Sequence, residues 1–182
     1  MYGRIQNIDN RVLDNIYRIH KPALNKIMIT ASRAGNAGIV WWAICLPFLI
    51  NSNWRATGAN FVFGLAWAHL MGEIIIKHIV KRVRPCHTLD DDEQLIDRPR
   101  FYSFPSGHTT ASFAMVGVAL MRCRVITFMP ILMLAMLIAF SRIYLRVHYL
   151  TDVIAGMILG LTCGICSVLI FNTVVTMWFP MV

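Results

Sequence analysis

The sequence predicts an all-α integral membrane protein: a bundle of about five transmembrane helices with an amino-terminal amphipathic helix at the membrane surface. Three observations support this class: the composition is apolar, long stretches carry no charge, and charged residues gather at the ends of those stretches. Hydrophobic residues make up 57% of the 182 residues and charged residues only 14%, which is too apolar for an ordinary soluble fold. The length fits a single domain over residues 1–182.

Charge-poor stretches locate the membrane helices, because a helix needs about 20 apolar residues to cross a bilayer. Such stretches predict spans at about 36–53, 57–80, 106–121, 125–145 and 149–172. The segment 82–104, between the second and third spans, is the one long polar loop.

The amino-terminal segment 8–32 differs from the spans because apolar and charged residues alternate along it. Ile8, Val12 and Ile16 recur at helical spacing, with charged residues between them. A regular apolar stripe of this kind is typical of a helix lying in the membrane interface. Pro22 predicts a break within the segment.

The charge balance is strongly basic, with 17 Lys and Arg against nine Asp and Glu. In a soluble protein this excess would favour nucleic acid as a partner. Here the cations flank apolar stretches, so we expect the lipid bilayer and a phosphorylated lipid as partners, and no nucleic acid. The oligomeric state stays open.

A first polar cluster closes the second predicted span. Lys77, Lys81 and Arg84 recur at i, i+4 and i+7, which places them on one face of a helix. Pro85 is expected to end that helix. Taken alone, cationic side chains that extend to lipid headgroups explain this face equally well.

A second cluster, Pro105-Ser106-Gly107-His108, opens the third span. Ser106 is a good N-cap residue, and free backbone N–H groups at a helix start bind phosphate oxygens. Gly107 allows close approach of the backbone, and His108 would lie beside a bound phosphate as a proton donor. The alternative is an ordinary capped helix start with an incidental histidine.

A third cluster joins the fourth and fifth spans. Ser141 and Arg142 end one, and His148 precedes Asp152 by four residues, about one helical turn. This spacing allows the carboxylate to orient the imidazole and leave its other nitrogen nucleophilic. A purely structural His–Asp pair is the alternative, which the cations crowded into the same turn disfavour.

The three clusters lie at the same end of their predicted spans, so we expect them to form one phosphate site. Charged groups at membrane depth also mark functional sites in general. Two other groups are weaker candidates. His87 with the acidic run Asp90, Asp91, Asp92 and Glu93 could suggest a metal site but is better explained as a solvated loop. His69 and Glu73, four residues apart, could form a pair within the membrane.

These motifs resemble the type 2 phosphatidic acid phosphatase superfamily of membrane lipid phosphatases. The family signature is K-x6-R-P, P-S-G-H and S-R-x5-H-x3-D. The chain matches every position of it, with Lys77, Arg84-Pro85, Pro105-Ser106-Gly107-His108, Ser141-Arg142, His148 and Asp152.

The resemblance implies roles for eight residues. His148 would be the nucleophile that forms a phosphohistidine, Asp152 its orienting carboxylate and His108 the acid. The phosphoryl oxygens would be held by Lys77, Arg84, Ser106, Gly107 and Arg142. Fixed cations would replace magnesium, so we expect no metal and no cofactor.

The resemblance also implies a cell (inner) membrane protein whose site faces the extracytoplasmic side. We expect hydrolysis of undecaprenyl diphosphate, with phosphatidylglycerophosphate or phosphatidate phosphatase, lipid phosphotransferase and anion transporter as alternatives. Two features depart from the commonest pattern: five spans are predicted in place of six, and short undecaprenyl-diphosphate phosphatases often carry Asp where Gly107 stands.

Overall fold

The computed structural model describes residues 2–88, 94–100 and 102–178. Helices are its regular secondary structure, and the described residues contain no strands. The α-helices are α1 (Tyr2–Tyr17), α2 (Pro22–Ala34), α3 (Ile39–Ile50), α4 (Arg55–His69), α5 (Lys77–Val80), α6 (Gly107–Arg122), α7 (Val125–Tyr144) and α8 (Leu150–Trp178). A π-helix, Leu70–Ile76, joins α4 to α5, and short 3-10 helices cover Asn36–Gly38, Ser52–Trp54 and Pro85–Thr88.

Helix α6 lies at the centre of the bundle, packed against α4, α7 and α8. Small residues on α8 permit the closest of these approaches. A side-chain carbon added at Gly160 would overlap the carbonyl oxygen of Thr110, and one at Gly164 would overlap that of Ala114. Such small-residue faces let membrane helices bring their backbones together.

The predicted multi-span architecture is confirmed, with differences in detail. Ser52–Thr88, Val125–Tyr144 and Leu150–Val174 are long and apolar enough to cross a membrane. A fourth candidate is the pair Pro22–Ala34 and Asn36–Ile50, which is bent by 57°. The predicted span 106–121 forms α6, a helix of 16 residues that is largely buried by its neighbours.

The amino-terminal segment is two helices, and the break predicted at Pro22 is present because α2 begins there. The interfacial location predicted for 8–32 stays a prediction. Helix α2 bends into α3 as part of a candidate span. The bend follows from left-handed backbone at Ala37 (φ 49°) and Gly38 (φ 69°).

The first cluster does not lie on one helical face as predicted. Helix α5 ends at Val80, and Lys81 adopts left-handed backbone (φ 50°). Lys81 is exposed, whereas Arg84 lies in irregular chain and its side chain is buried, at 4% exposure. Pro85 begins a 3-10 turn inside the 82–104 loop and does not end a helix.

Candidate active site

A cavity of about 1150 Å³ opens where the polar ends of the helices meet. Six of the eight predicted site residues line it: Lys77, Arg84, Gly107, His108, Arg142 and His148. The bundle thus brings residues from α5, the loop after it, α6, α7 and the turn before α8 to one wall.

Three buried cations dominate this wall. Lys77, Arg84 and Arg142 are 3%, 4% and 3% exposed. Arg142 donates to the hydroxyl of Ser32 on α2, and Nη1 of Arg84 donates to the carbonyl oxygen of Val147 at 3.0 Å. Buried cations around a cavity favour an anionic ligand, because such a ligand compensates their desolvation.

His148 faces these cations through Nε2, which lies 2.8 Å from Nη1 of Arg84. Because a guanidinium group only donates, Nε2 accepts and the ring proton belongs on Nδ1. Burial, together with the charges of Arg84, Arg142 and Lys77, lowers the pKa of His148 well below its ordinary value of 6.5. The geometry therefore presents a neutral imidazole with its basic nitrogen toward the cavity.

Asp152 lies behind His148, fully buried. Its Oδ2 is 3.7 Å from Nδ1 of His148, which is beyond hydrogen-bond distance. The carboxylate instead accepts from Nη1 of Arg82 at 2.7 Å and from the backbone N–H of Tyr149 at 2.9 Å. The predicted carboxylate–imidazole hydrogen bond is thus a longer contact, because these two donors hold the carboxylate.

Arg82 is the main feature that the sequence did not indicate. Besides Asp152, it bonds Oδ2 of Asp9 at 2.7 Å and Oγ1 of Thr151 at 2.7 Å. Asp9 also accepts from the backbone N–H of Thr151. The fully buried Asp9 ties α1 to the start of α8. Its position one helical turn before the buried Leu13, on the inward face of α1, was a signal that could have found it.

Ser106 and Gly107 occupy different places at the start of α6. Ser106 is fully buried and does not line the cavity. Its hydroxyl accepts from Thr109, and its backbone N–H donates to the carbonyl oxygen of Asp152 at 3.1 Å. Gly107 does line the cavity, so the first backbone groups of α6 border the space that a ligand would fill.

His108 projects from the first turn of α6 toward the bend between α2 and α3. Its Nε2 lies 2.8 Å from Oδ1 of Asn36, in that bend. Gly35 leaves room for the ring, since a side-chain carbon there would lie 2.7 Å from the imidazole. Sequence reasoning missed Asn36 because no motif includes it.

Glu73 also enters the cavity, from the π-helical stretch. Its Oε1 lies 2.5 Å from Nζ of Lys77, so Glu73 pairs with Lys77 in place of the His69 partner that the spacing also allowed. A side-chain carbon at Gly107 would overlap this same oxygen. The carboxylate therefore rests against the start of α6.

The weaker metal candidate pairs His87 with acidic residues that lie outside the described part of the chain. Among the described residues, no group of three or more His, Cys, Asp or Glu side chains could hold a metal ion. The acidic run Asp90 to Glu93 lies outside the described residues.

A helical membrane bundle with a cationic, histidine-containing cavity defines a class of phosphate-handling membrane proteins. The sequence profile of the PAP2 superfamily matches residues 57–176. The chain therefore belongs to the PAP2 superfamily.

Individual relatives agree with this assignment. The chain is 32% identical over 152 residues to an undecaprenyl-diphosphatase of Sulfolobus acidocaldarius, covering 82% of this chain and 72% of that protein. It is 27% identical over 171 residues to phosphatidylglycerophosphatase B of Bacillus subtilis, covering 86% and 80%. The crystal structure of LpxE from Aquifex aeolicus superposes with a TM-score of 0.76 at 24% identity, covering 86% of this chain and 92% of that one.

These findings establish the fold and the class of activity. The protein is a multi-pass membrane enzyme, a lipid phosphatase of the PAP2 type.

Proposed function

We propose that the enzyme removes the terminal phosphate of undecaprenyl diphosphate, yielding undecaprenyl phosphate and orthophosphate, through a phosphohistidine on His148. The observation that carries this mechanism is the orientation of His148: its basic Nε2 points among three buried cations at the cavity wall. A nucleophile in a cationic cradle suits phosphoryl transfer, in which positioning and charge stabilisation supply most of the catalysis.

In the first step, the Nε2 lone pair forms a bond to phosphorus while the bond from phosphorus to the leaving oxygen breaks. His108 delivers a proton to that oxygen. In the second step, water gives a proton to the deprotonated His108 and attacks phosphorus, the P–N bond breaks with its electron pair returning to Nε2, and orthophosphate leaves.

The remaining residues hold the reacting groups. Lys77, Arg84 and Arg142 bind the phosphoryl oxygens together with the backbone at Gly107. Asp152 acts on His148 by electrostatic attraction across 3.7 Å, favouring the tautomer with its proton on Nδ1. Ser106 contributes by fixing the start of α6 against α8. Fixed cations take the electrostatic role that magnesium has in other phosphotransferases, so we propose catalysis without a metal.

We further propose that residues 1–182 form one catalytic domain, with 82–104 as its active-site loop, and that the cavity faces the extracytoplasmic side of the inner membrane. The relative from S. acidocaldarius supports the diphosphate substrate. The relative from B. subtilis supports the second candidate, phosphatidylglycerophosphate. Phosphatidate is a third substrate to be tested beside them.

A phosphate-release panel with the purified protein in detergent tests this proposal. Undecaprenyl diphosphate, phosphatidylglycerophosphate and phosphatidate are compared at equal mole fraction, with and without chelator. We expect fastest release from the diphosphate and no effect of the chelator. Faster release from a phosphoglyceride would overturn the substrate assignment, and a requirement for magnesium would overturn the metal-free mechanism.

Two further measurements distinguish a phosphatase from the alternative functions, a phosphotransferase and an anion transporter. Transfer of labelled phosphate to a second lipid, in place of release to water, would identify a phosphotransferase. Movement of an anion across proteoliposomes without any release of phosphate would identify a transporter.

A further inference from the structure

Glu73 is the one acidic side chain, among the described residues, in contact with the cationic wall of the cavity. It bonds Lys77 at 2.5 Å, and its side chain is 30% exposed. The exposed part faces the cavity that Arg84 and Arg142 also line. A carboxylate is thus held where the mechanism needs a phosphoryl group.

The position of the Glu73 carboxylate beside α6 indicates that it would overlap a bound phosphate. A side-chain carbon on Gly107 would overlap Oε1 of Glu73. Glu73 therefore fills the space directly beside the first turn of α6, which is where a phosphate would meet the backbone of that turn. The two anions cannot share this space without strong repulsion.

The local backbone presents Glu73 in this direction. The chain widens from α-helix to π-helix over Leu70–Ile76 and returns to α-helix at Lys77. A π-helical turn changes the rotational register of the side chains that follow it, and such turns recur at functional sites. Here Glu73 and Lys77 both point into the cavity, and the exposed neighbours Ile74 and Ile75 do not line it.

We propose that Glu73 is a resident anion that competes with the phosphoryl group for the cradle and so sets how weakly the enzyme holds orthophosphate. This inference rests on the proposed function. A lipid substrate has a tail that keeps it in the membrane beside the site, and it displaces the carboxylate. Orthophosphate has no tail, so the returning carboxylate expels it and the product leaves.

The test is orthophosphate affinity, measured by calorimetry on the purified protein without any turnover. Glu73→Gln removes the charge and keeps an oxygen that can accept from Lys77. We expect it to bind orthophosphate at least about tenfold more tightly than the wild type, since one like-charge repulsion is lost. Orthophosphate should also become a stronger inhibitor of lipid hydrolysis by a similar factor.

Asp97→Asn is the matched control. Asp97 lines the same cavity but is exposed at its rim, and the substitution changes the charge by the same amount. We expect its orthophosphate affinity to stay within about twofold of the wild type because exposed charges are screened. The rise of the thermal midpoint with added orthophosphate gives a second measure of binding and shows that each variant is folded.

Several results would overturn the inference. Unchanged affinity in Glu73→Gln, or an equal gain in Asp97→Asn, would mean that Glu73 does not compete locally. Weaker binding in Glu73→Gln would mean that it serves to position Lys77. Tighter binding in a protein that hydrolyses no lipid phosphate would uphold the competition and defeat the proposed function instead. No binding by any of the three proteins would defeat the inference, and the lipid panel would then decide the function separately.

Discussion

The two sides of His148 differ in how their charges are arranged. On the cavity side, three buried cations lie on a wall that the carboxylate of Glu73 contacts through Lys77. Behind the ring, Arg82 bridges two fully buried carboxylates, Asp9 and Asp152, at 2.7 Å each. Cations in excess around a cavity are arranged to receive an anion, whereas a closed network of ion pairs holds helices in place. The same residue types therefore serve binding on one side and architecture on the other.

The largest effect should come from the residue between the two sides. His148→Ala removes the proposed nucleophile, and we expect phosphate release from the preferred lipid to fall below about one-thousandth of the wild-type rate. The measurement is initial rate at saturating lipid. The variant should still bind orthovanadate through the cations, which serves as the folding control. Normal release in this variant would refute the phosphohistidine mechanism.

A substitution in the Arg82 network behind the His148 ring should lower the stability of the protein. Arg82→Leu leaves the carboxylates of Asp9 and Asp152 buried without their cation, which should reduce the free energy of unfolding by about 3–5 kcal/mol. Thermal unfolding in detergent measures this loss. Arg55→Leu, at an exposed arginine, is the matched control and should change little. A stable Arg82→Leu protein would show that the network is not structural.

A smaller effect is expected at Asn36, on the cavity side. Asn36→Ala removes the oxygen that fixes the His108 ring, so kcat should fall by about tenfold while KM stays nearly constant. Steady-state kinetics with the preferred lipid separates the two parameters. Asn53→Ala, in an exposed turn, should match the wild type. A change confined to KM would place Asn36 in substrate binding.

The smallest effect should be a shift of the pH profile. Only neutral His148 can attack, and burial with the nearby cations lowers its pKa below 6.5. Activity should therefore persist as the pH falls to 6.5, and the acid limb of the kcat/KM profile should lie below that pH. Arg142→Gln removes one cation, so the pKa of His148 should rise and the acid limb should move up by about one unit.

Normalised profiles of kcat/KM against pH for the same lipid measure this shift, since ionisation of the substrate is then common to both proteins. Arg33→Gln, at an exposed arginine on the cavity, should leave the acid limb in place. An acid limb that moves down in Arg142→Gln would contradict the electrostatic account.

Much of the fold was predictable because hydropathy and charge act locally. Stretches without charge became helices near the predicted positions, and the break at Pro22 follows from its missing N–H. The end of α5 at Val80 was not predictable, because nothing local distinguishes Lys81 from a helical lysine. Its left-handed backbone depends on where the loop must carry Arg84.

The residues of the candidate site were also predictable from the sequence, whereas their contacts were not. Spacing along the chain brought out His108, Arg142, His148 and Asp152, because each lies in a short motif. The contacts within the site could not be predicted from the sequence, because they join distant residues. Asn36 is 72 residues from His108, and Asp9 is 142 residues from Thr151.

By itself, the sequence determined that the chain is a membrane helical bundle whose polar clusters gather at one end, since transfer of charge into lipid is costly wherever it occurs along a helix. Only the tertiary structure decided which charges meet. The rotation of each helix about its axis set Glu73 against Gly107, Arg82 between two carboxylates, and Nε2 of His148 toward the cavity. That rotation depends on packing between distant segments, such as α6 against α8, which no local pattern encodes.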